Sequence, residues 1–231
     1  MQFLLEEIDW IKSCRYLKKE EYMNVERVGR ASIGESRVRL AKQSVNREAI
    51  FELFLLYEHM MASQNLTDYK TNALRVLSKI KKGEIIPPQY SYIIVDESQD
   101  LSRTQLEIIR ELYKDSDFSS IIFIADVAQS IYSQSWLSRQ SFKSIGFDMS
   151  GKSNVLSQNY RTTKQIALAA YSLINHDSDL KNSVDYVEPV ALERTGAKPK
   201  YRHFSNEQEE FSYIEKEIKK CVTKLSSESW D

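Results

Sequence analysis

Two short β-branched runs separated by one amphipathic segment constrain this chain more than any other feature. The runs are YIIVD, ending at Asp96, and IIFIAD, ending at Asp126. Each is apolar enough for a strand buried on both faces, and each closes on an acid. Between them Ser102 and Gln105 form the pattern of a capping box at the head of a helix that runs to Tyr113. Strand, helix, strand in so few residues is a crossover unit, and a crossover makes its two strands parallel. The expected class is α/β. A further strand is expected at Asn154–Gln158, followed by a helix from about Thr162 to Ile174. KYRHF (200–204) reads as another strand. After it Ser205 and Gln208 head a helix with apolar positions Phe211, Ile214, Ile218, Val222 and Leu225.

The first third reads differently. Residues 1 to about 82 lack strand-like alternation, and Val45–Ala62 is apolar nearly all round, as a buried helix would be. Pro87 and Pro88 end that pattern. The chain has 231 residues, 42% of them hydrophobic, which is ample for a packed core. Lys+Arg 32 against Asp+Glu 33 leaves a net charge of -1, so no global basic field points to nucleic acid. A local patch does exist. Between Arg27 and Arg47 six basic residues, among them Arg30, Arg37 and Arg39, face one acid, Glu35. They are candidates for phosphate contacts, the alternative being a solvated helix and loop face. Cys14 and Cys221 show no metal-ligand spacing and suit a reducing, cytoplasmic setting. MQFLLEEIDW carries acids where a signal peptide is basic, and no apolar run is long enough to cross a bilayer.

Chemistry is concentrated where the runs end. In YIIVDESQD (92–100), Asp96 and Glu97 stand at the carboxyl end of a strand, where open α/β sheets bind ligands. Adjacent acids there can divide the work, one holding Mg²⁺ and one taking a proton from water, which is a Walker B arrangement. A solvated Asp-Glu pair is the alternative. ADVAQSIY (125–132) and LSQNYRTTKQI (156–166) bring further polar groups to the same predicted sheet edge.

VDESQD, ADVAQSIY and QNYRTT resemble, in order, motifs II, III and IV of the UvrD/Rep-like superfamily 1 DNA helicases. The resemblance implies an incomplete RecA-like (P-loop NTPase) parallel sheet with an inserted helical subdomain. Residues 1–82 would be the helical 1B-like part, 83–175 the later part of domain 1A, and 176–231 a linker and the start of domain 2A. It implies that Asp96 helps hold Mg²⁺, Glu97 polarises the attacking water, Gln129 senses the γ-phosphate, Arg161 acts as an arginine finger and Tyr160 stacks on the ATP base. Tyr132 and Trp136 would lie against single-stranded DNA, with core packing the alternative for Trp136. The sequence departs from the family in Ala125, where glycine is usual, and in Val127-Ala128, where acidic or proline residues are frequent.

GFDMSGKS (146–153) satisfies GxxxxGK[ST], but no strand precedes it and no helix is expected to start at its Lys-Ser. It is therefore expected to be a surface turn. No other P-loop precedes Asp96, and nothing after Arg161 resembles the family's late motifs. The expectation is a fragment of an ATP-dependent DNA helicase of the DNA-repair type, acting on single-stranded or partly duplex DNA. ATP and Mg²⁺ would serve the complete enzyme, and the fragment would be inactive alone. Its partners would be a missing N-terminal P-loop segment and a C-terminal RecA-like domain. The alternative is a stand-alone, non-catalytic module that binds DNA or another protein.

Overall fold

The computed structural model describes residues 2–26, 40–126, 135–137, 140–156, 158–174 and 194–227. Those up to Val155 form one compact unit, and those from Leu156 onward form a second.

The first unit opens with α1 (Gln2–Ser13), α2 (Lys19–Asn24), α3 (Val45–Ser63) and α4 (Tyr69–Lys81). Side chains start two of them: Ser44 accepts the amide of Arg47, and Asp68 accepts the amide of Thr71 at 2.7 Å. The apolar run expected to be buried all round is α3, and it is buried on one face only, through Arg47, Ile50, Phe51 and Phe54. Leu53, Leu55, Leu56 and Met60 are exposed, because α1 and α2 cover only one side of the helix.

Two buried cations fasten these helices. Lys12, fully buried, donates to Asp68 at 2.5 Å and to Thr71 Oγ1 at 2.9 Å, pairs with Glu58, and lies over the Tyr57 ring. Burial opposes the charge of Asp68, but Lys12, the Thr71 amide and the Tyr57 hydroxyl outweigh it and pull the carboxyl down to about 2. Burial and that same carboxylate push the Tyr57 phenol up to about 12. Arg47 donates to the carbonyls of Tyr22 (2.7 Å), Met23 (3.3 Å), Val25 (2.8 Å) and Leu40 (2.9 Å). It satisfies backbone acceptors at the C-terminal end of α2 and at Leu40, and so does not belong to the solvent-facing basic patch.

The strand–helix–strand unit follows as β1 (Tyr92–Val95), α5 (Arg103–Leu112) and β2 (Ser120–Phe123). The strands pair in parallel with Tyr92 opposite Ser120 and Val95 opposite Phe123, each ending a little before its run does. The capping box is present: Ser102 Oγ accepts the Gln105 amide, and Gln105 Oε1 accepts the Ser102 amide at 2.9 Å. Expected as fully buried, the strands instead alternate. Ile121 and Phe123 pack on the core and Ile93 and Val95 are half-buried, whereas Tyr92, Ile94 and Ile122 are exposed. That core is continuous from α1 through Trp136 to Phe147, so the helical segment is not set apart from the sheet. Thr104 Oγ1 docks α5 onto the last carbonyls of α1.

In the second unit, α6 (Lys164–Ile174) follows a turn in which Asn159 Oδ1 accepts the amides of Arg161 (3.0 Å) and Thr162 (3.1 Å). The last helix, α7 (Glu207–Ser227), starts one residue later than the Ser205/Gln208 pattern predicts. Asn206 caps it by accepting the Glu209 amide at 3.0 Å, and Glu209 reaches back to the Ser205 amide at 3.2 Å. A carboxylate at the helix N-terminus outcompetes the amide of Gln208. KYRHF is not a strand, and of the expected strand at 154–158 the described residues show only a single bridge position, at Gln158. Among the described residues no helix is long and apolar enough to cross a membrane.

Candidate active site

The ladder between β1 and β2 gives way to a turn built on buried side chains. Ile124 still donates to the Val95 carbonyl at 2.8 Å. One residue pair further, the amide and the hydroxyl of Ser98 both donate to the Ile124 carbonyl, each at 2.9 Å. Gln99 then spans the gap. Its Oε1 accepts the Asp126 amide at 3.1 Å, and its Nε2 donates to Glu97 Oε2 at 2.6 Å. Ser98 is fully buried and Gln99 2% exposed, so these bonds have little competition from water. Asp96 and Glu97 themselves are exposed. Both acids are thus presented to solvent from a turn whose floor is fixed.

The backbone at Glu97 is left-handed, with φ 51, followed by a 3-10 turn at Ser98–Asp100. A non-glycine residue rarely adopts that conformation, and such outliers gather at functional sites. Asp96 Oδ1 accepts the Glu97 amide at 2.9 Å, which fixes the carboxylate in one orientation. Its exposed carboxylate is the hard-oxygen donor that Mg²⁺ takes when phosphates supply the other ligands. Among the described residues no group of three His, Cys, Asp or Glu is placed to hold a metal by itself.

The other predicted site residues fare variously. Gln129, Tyr132, Arg30, Arg37 and Arg39 lie outside the described residues. Tyr160 and Arg161 belong to the second unit and are exposed there, with the Arg161 carbonyl accepting from Arg194. Trp136 is only 7% exposed. Its Nε1 donates to Ser144 Oγ at 2.8 Å, Tyr16 packs on it and the Arg103 guanidinium covers the ring at 5.0 Å. The packing alternative is the one the structure displays, because the ring has no open face for a base.

GFDMSGKS is a turn. Gly146, at φ 87, closes a 3-10 turn, Asp148 Oδ1 accepts the Ser150 amide, and the Lys152 amide and Nζ bond to Met149 and Asp148 carbonyls. No helix begins at Lys152, so its amides are not aligned as a phosphate cradle. What the sequence reading missed is Gln99. The signal was available: a polar amide inside the motif, four residues past the end of β1, requires a partner if the turn buries it.

Residues 9–137 match the UvrD/REP helicase N-terminal domain, and residues 154–229 match the UvrD-like helicase C-terminal domain. The ATP-dependent DNA helicase srs2 of Schizosaccharomyces pombe is 29% identical over 173 residues, 74% of this chain and 19% of that protein. The ATP-dependent DNA helicase PcrA of Staphylococcus epidermidis is 33% identical over 136 residues, 57% of this chain and 17% of that protein. A probable DNA helicase II homolog of Mycoplasma capricolum is 26% identical over 177 residues, 74% of this chain and 23% of that protein. The chain therefore spans about a fifth of the length of these relatives. With Asp96 and Glu97 inside the first matched stretch and Tyr160 and Arg161 inside the second, the chain belongs to the UvrD/Rep family of helicases.

Proposed function

We propose that this chain is the metal-and-base portion of an ATP-dependent DNA helicase, in which ATP hydrolysis drives movement along single-stranded DNA and unwinding. The carrying observation is the Asp96–Glu97 pair, held out at the end of β1 by buried Ser98 and Gln99. Asp96 is the metal ligand, and Mg²⁺ when bound supplies positive charge against the β- and γ-phosphates. Glu97 accepts the proton of the attacking water, and Gln99 fixes the carboxylate that does so. Gln129 and Arg161 stabilise charge on the γ-phosphate, Tyr160 stacks on the base, and Tyr132 with Arg30, Arg37 and Arg39 meets DNA. Trp136 is left out of the DNA set because it is packed.

The fold behind this assignment is an incomplete RecA-like sheet with a helical insert, in a reducing, cytoplasmic setting. Cys14 is buried and Cys221 exposed, and neither forms a disulfide. A P-loop segment and a second RecA-like domain complete the machine. In-line phosphoryl transfer needs the phosphates cradled by loop amides and a lysine, and the turn at 146–153 does not offer them. The chain alone is accordingly inactive.

Steady-state ATPase with single-stranded DNA tests this. The isolated chain is expected to give no turnover that Glu97→Gln removes. In a longer enzyme carrying this segment, Glu97→Gln should abolish turnover and spare ATP binding, since shape is kept and only the base is lost. Glu97-dependent turnover by the isolated chain would show a cradle within it.

A further inference from the structure

Away from the nucleotide turn, the end of α1, the end of α4 and α5 converge on one acid. Glu107 is 7% exposed, and Lys81 Nζ (2.6 Å), Arg103 Nε (2.7 Å) and Arg15 all reach its carboxylate. Burial disfavours its charge, yet Lys81, Arg15 and Arg103 together hold the carboxyl below its ordinary range. One carboxylate neutralises only one of the three. Arg110 lines the same cleft, about 230 Å³ in volume, together with Glu111, Ser144 and Ile145. Four cations there face two carboxylates, in a chain whose net charge is -1. Asp115, which Arg110 reaches at 3.1 Å, still leaves positive charge in excess.

These cations are also set in place. Arg103 lies 5.0 Å from the Trp136 ring centre, and Arg110 lies 5.4 Å from that of Phe147. Stacking holds a guanidinium by its face and leaves its edge donors available, and each guanidinium carries five. Glu107 takes Arg103 Nε, and Asp115 takes one terminal nitrogen of Arg110. Arg15 has φ 60 and follows α1 in a Schellman closure, its amide on the Lys12 carbonyl and the Tyr16 amide on the Ile11 carbonyl. Glycine is the usual residue there, so an arginine is kept against its backbone preference. All four cationic side chains retain solvent access, from 26% at Arg103 to 42% at Lys81.

We infer that this cleft binds a phosphate oxyanion. Forked guanidinium donors with an ammonium beside them match the acceptor geometry of a tetrahedral phosphate, whether free or within a nucleic-acid backbone. The site stands apart from the ATPase assignment, and its test needs no turnover.

Arginine Nε–Hε signals of the isotope-labelled chain, followed by NMR, are titrated with inorganic phosphate and separately with an oligothymidylate lacking terminal phosphates. Saturable shifts at Arg103 and Arg110 are expected. Movement with both ligands assigns the site to nucleic-acid backbone, and movement with inorganic phosphate alone assigns it to a free phosphate group. The double variant Lys81→Gln/Arg110→Gln should bind about tenfold more weakly or worse, whereas Lys81→Arg should stay within about threefold of the parent. Glu111→Gln leaves the Glu107 ion pairs intact and should tighten binding about two- to fivefold by removing a like charge. Arginine signals that ignore both ligands, or an unaltered affinity in Glu111→Gln and in a folded double variant, would overturn the assignment.

Discussion

Replacing Gln99 by methionine should loosen the turn that carries Glu97 far more than it loosens the rest of the molecule. The side chain is 2% exposed and makes one bond to a carboxylate and one to an amide. A hydrogen bond to a charged group contributes about 1.5 to 3 kcal/mol and a neutral one about 0.5 to 1.5, so the pair holds the turn by roughly 2 to 4.5 kcal/mol. At 1.4 kcal/mol per decade, the Asp126 amide should exchange with solvent about 30- to 1,600-fold faster in Gln99→Met. Gln99→Glu separates the two bonds: it keeps an acceptor for Asp126 but loses the donor to Glu97 and sets like charges together. Protection at Asp126 should then survive, while kcat in the longer enzyme falls about 10- to 100-fold with KM for ATP little changed, as for a misplaced base. Residue-resolved hydrogen exchange and steady-state kinetics read the two effects independently. Equal exchange at Asp126 in the parent and Gln99→Met, or full kcat in Gln99→Glu, refutes the positioning role.

Lys12→Met strands Asp68 and Glu58 without their buried cation and should cost about 3 kcal/mol in urea unfolding, the low end for a broken buried pair because both acids are partly exposed. Asp68 has a folded pKa of about 2, below the ordinary 3.8, so its contribution is complete above about pH 4 and is lost as the pH falls toward 2. Asp68→Asn should flatten that acid limb, and an unchanged acid profile would count against the Lys12–Asp68 bond. Trp136→Ala should cost about 3 to 5 kcal/mol, the range for emptying a large aromatic site, and leave single-stranded DNA binding unaltered. Weaker DNA binding at unchanged stability would restore the stacking role.

What could be read from the sequence was what depends on neighbouring residues. Ser102 and Gln105 announce their helix within four residues, and the β-branched runs announce two strands, because a capping box and a short apolar run are local objects. Asp96 and Glu97 were legible for the same reason, since strand end and acid adjoin in the chain. Gln99 was not, because its partner at Asp126 becomes a neighbour only once β2 lies parallel to β1. Arg47 looked like one more surface charge, whereas four carbonyls, those of Tyr22 and Met23 in the last turn of α2, of Val25 just past it and of Leu40, absorb it. KYRHF has strand-like composition, but a strand exists only with a partner, and propensity carries no information on who is adjacent. At α7, Ser205 and Asn206 are both capable caps, and the choice fell to the carboxylate of Glu209 over the amide of Gln208.

The left-handed backbone at Glu97 sets a backbone cost against a side-chain bond at a single residue. Holding a non-glycine side chain in that region costs on the order of 1 kcal/mol, and glycine or asparagine would remove most of the penalty. Either replacement would keep the bonds of Ser98 and Gln99 to Ile124 and Asp126 but would take from Gln99 Nε2 the carboxylate it donates to, so relief of the backbone angle comes with a buried donor unpaired. The carboxylate of Glu97 thus offsets, in one bond to a buried side chain, what its own backbone angle costs.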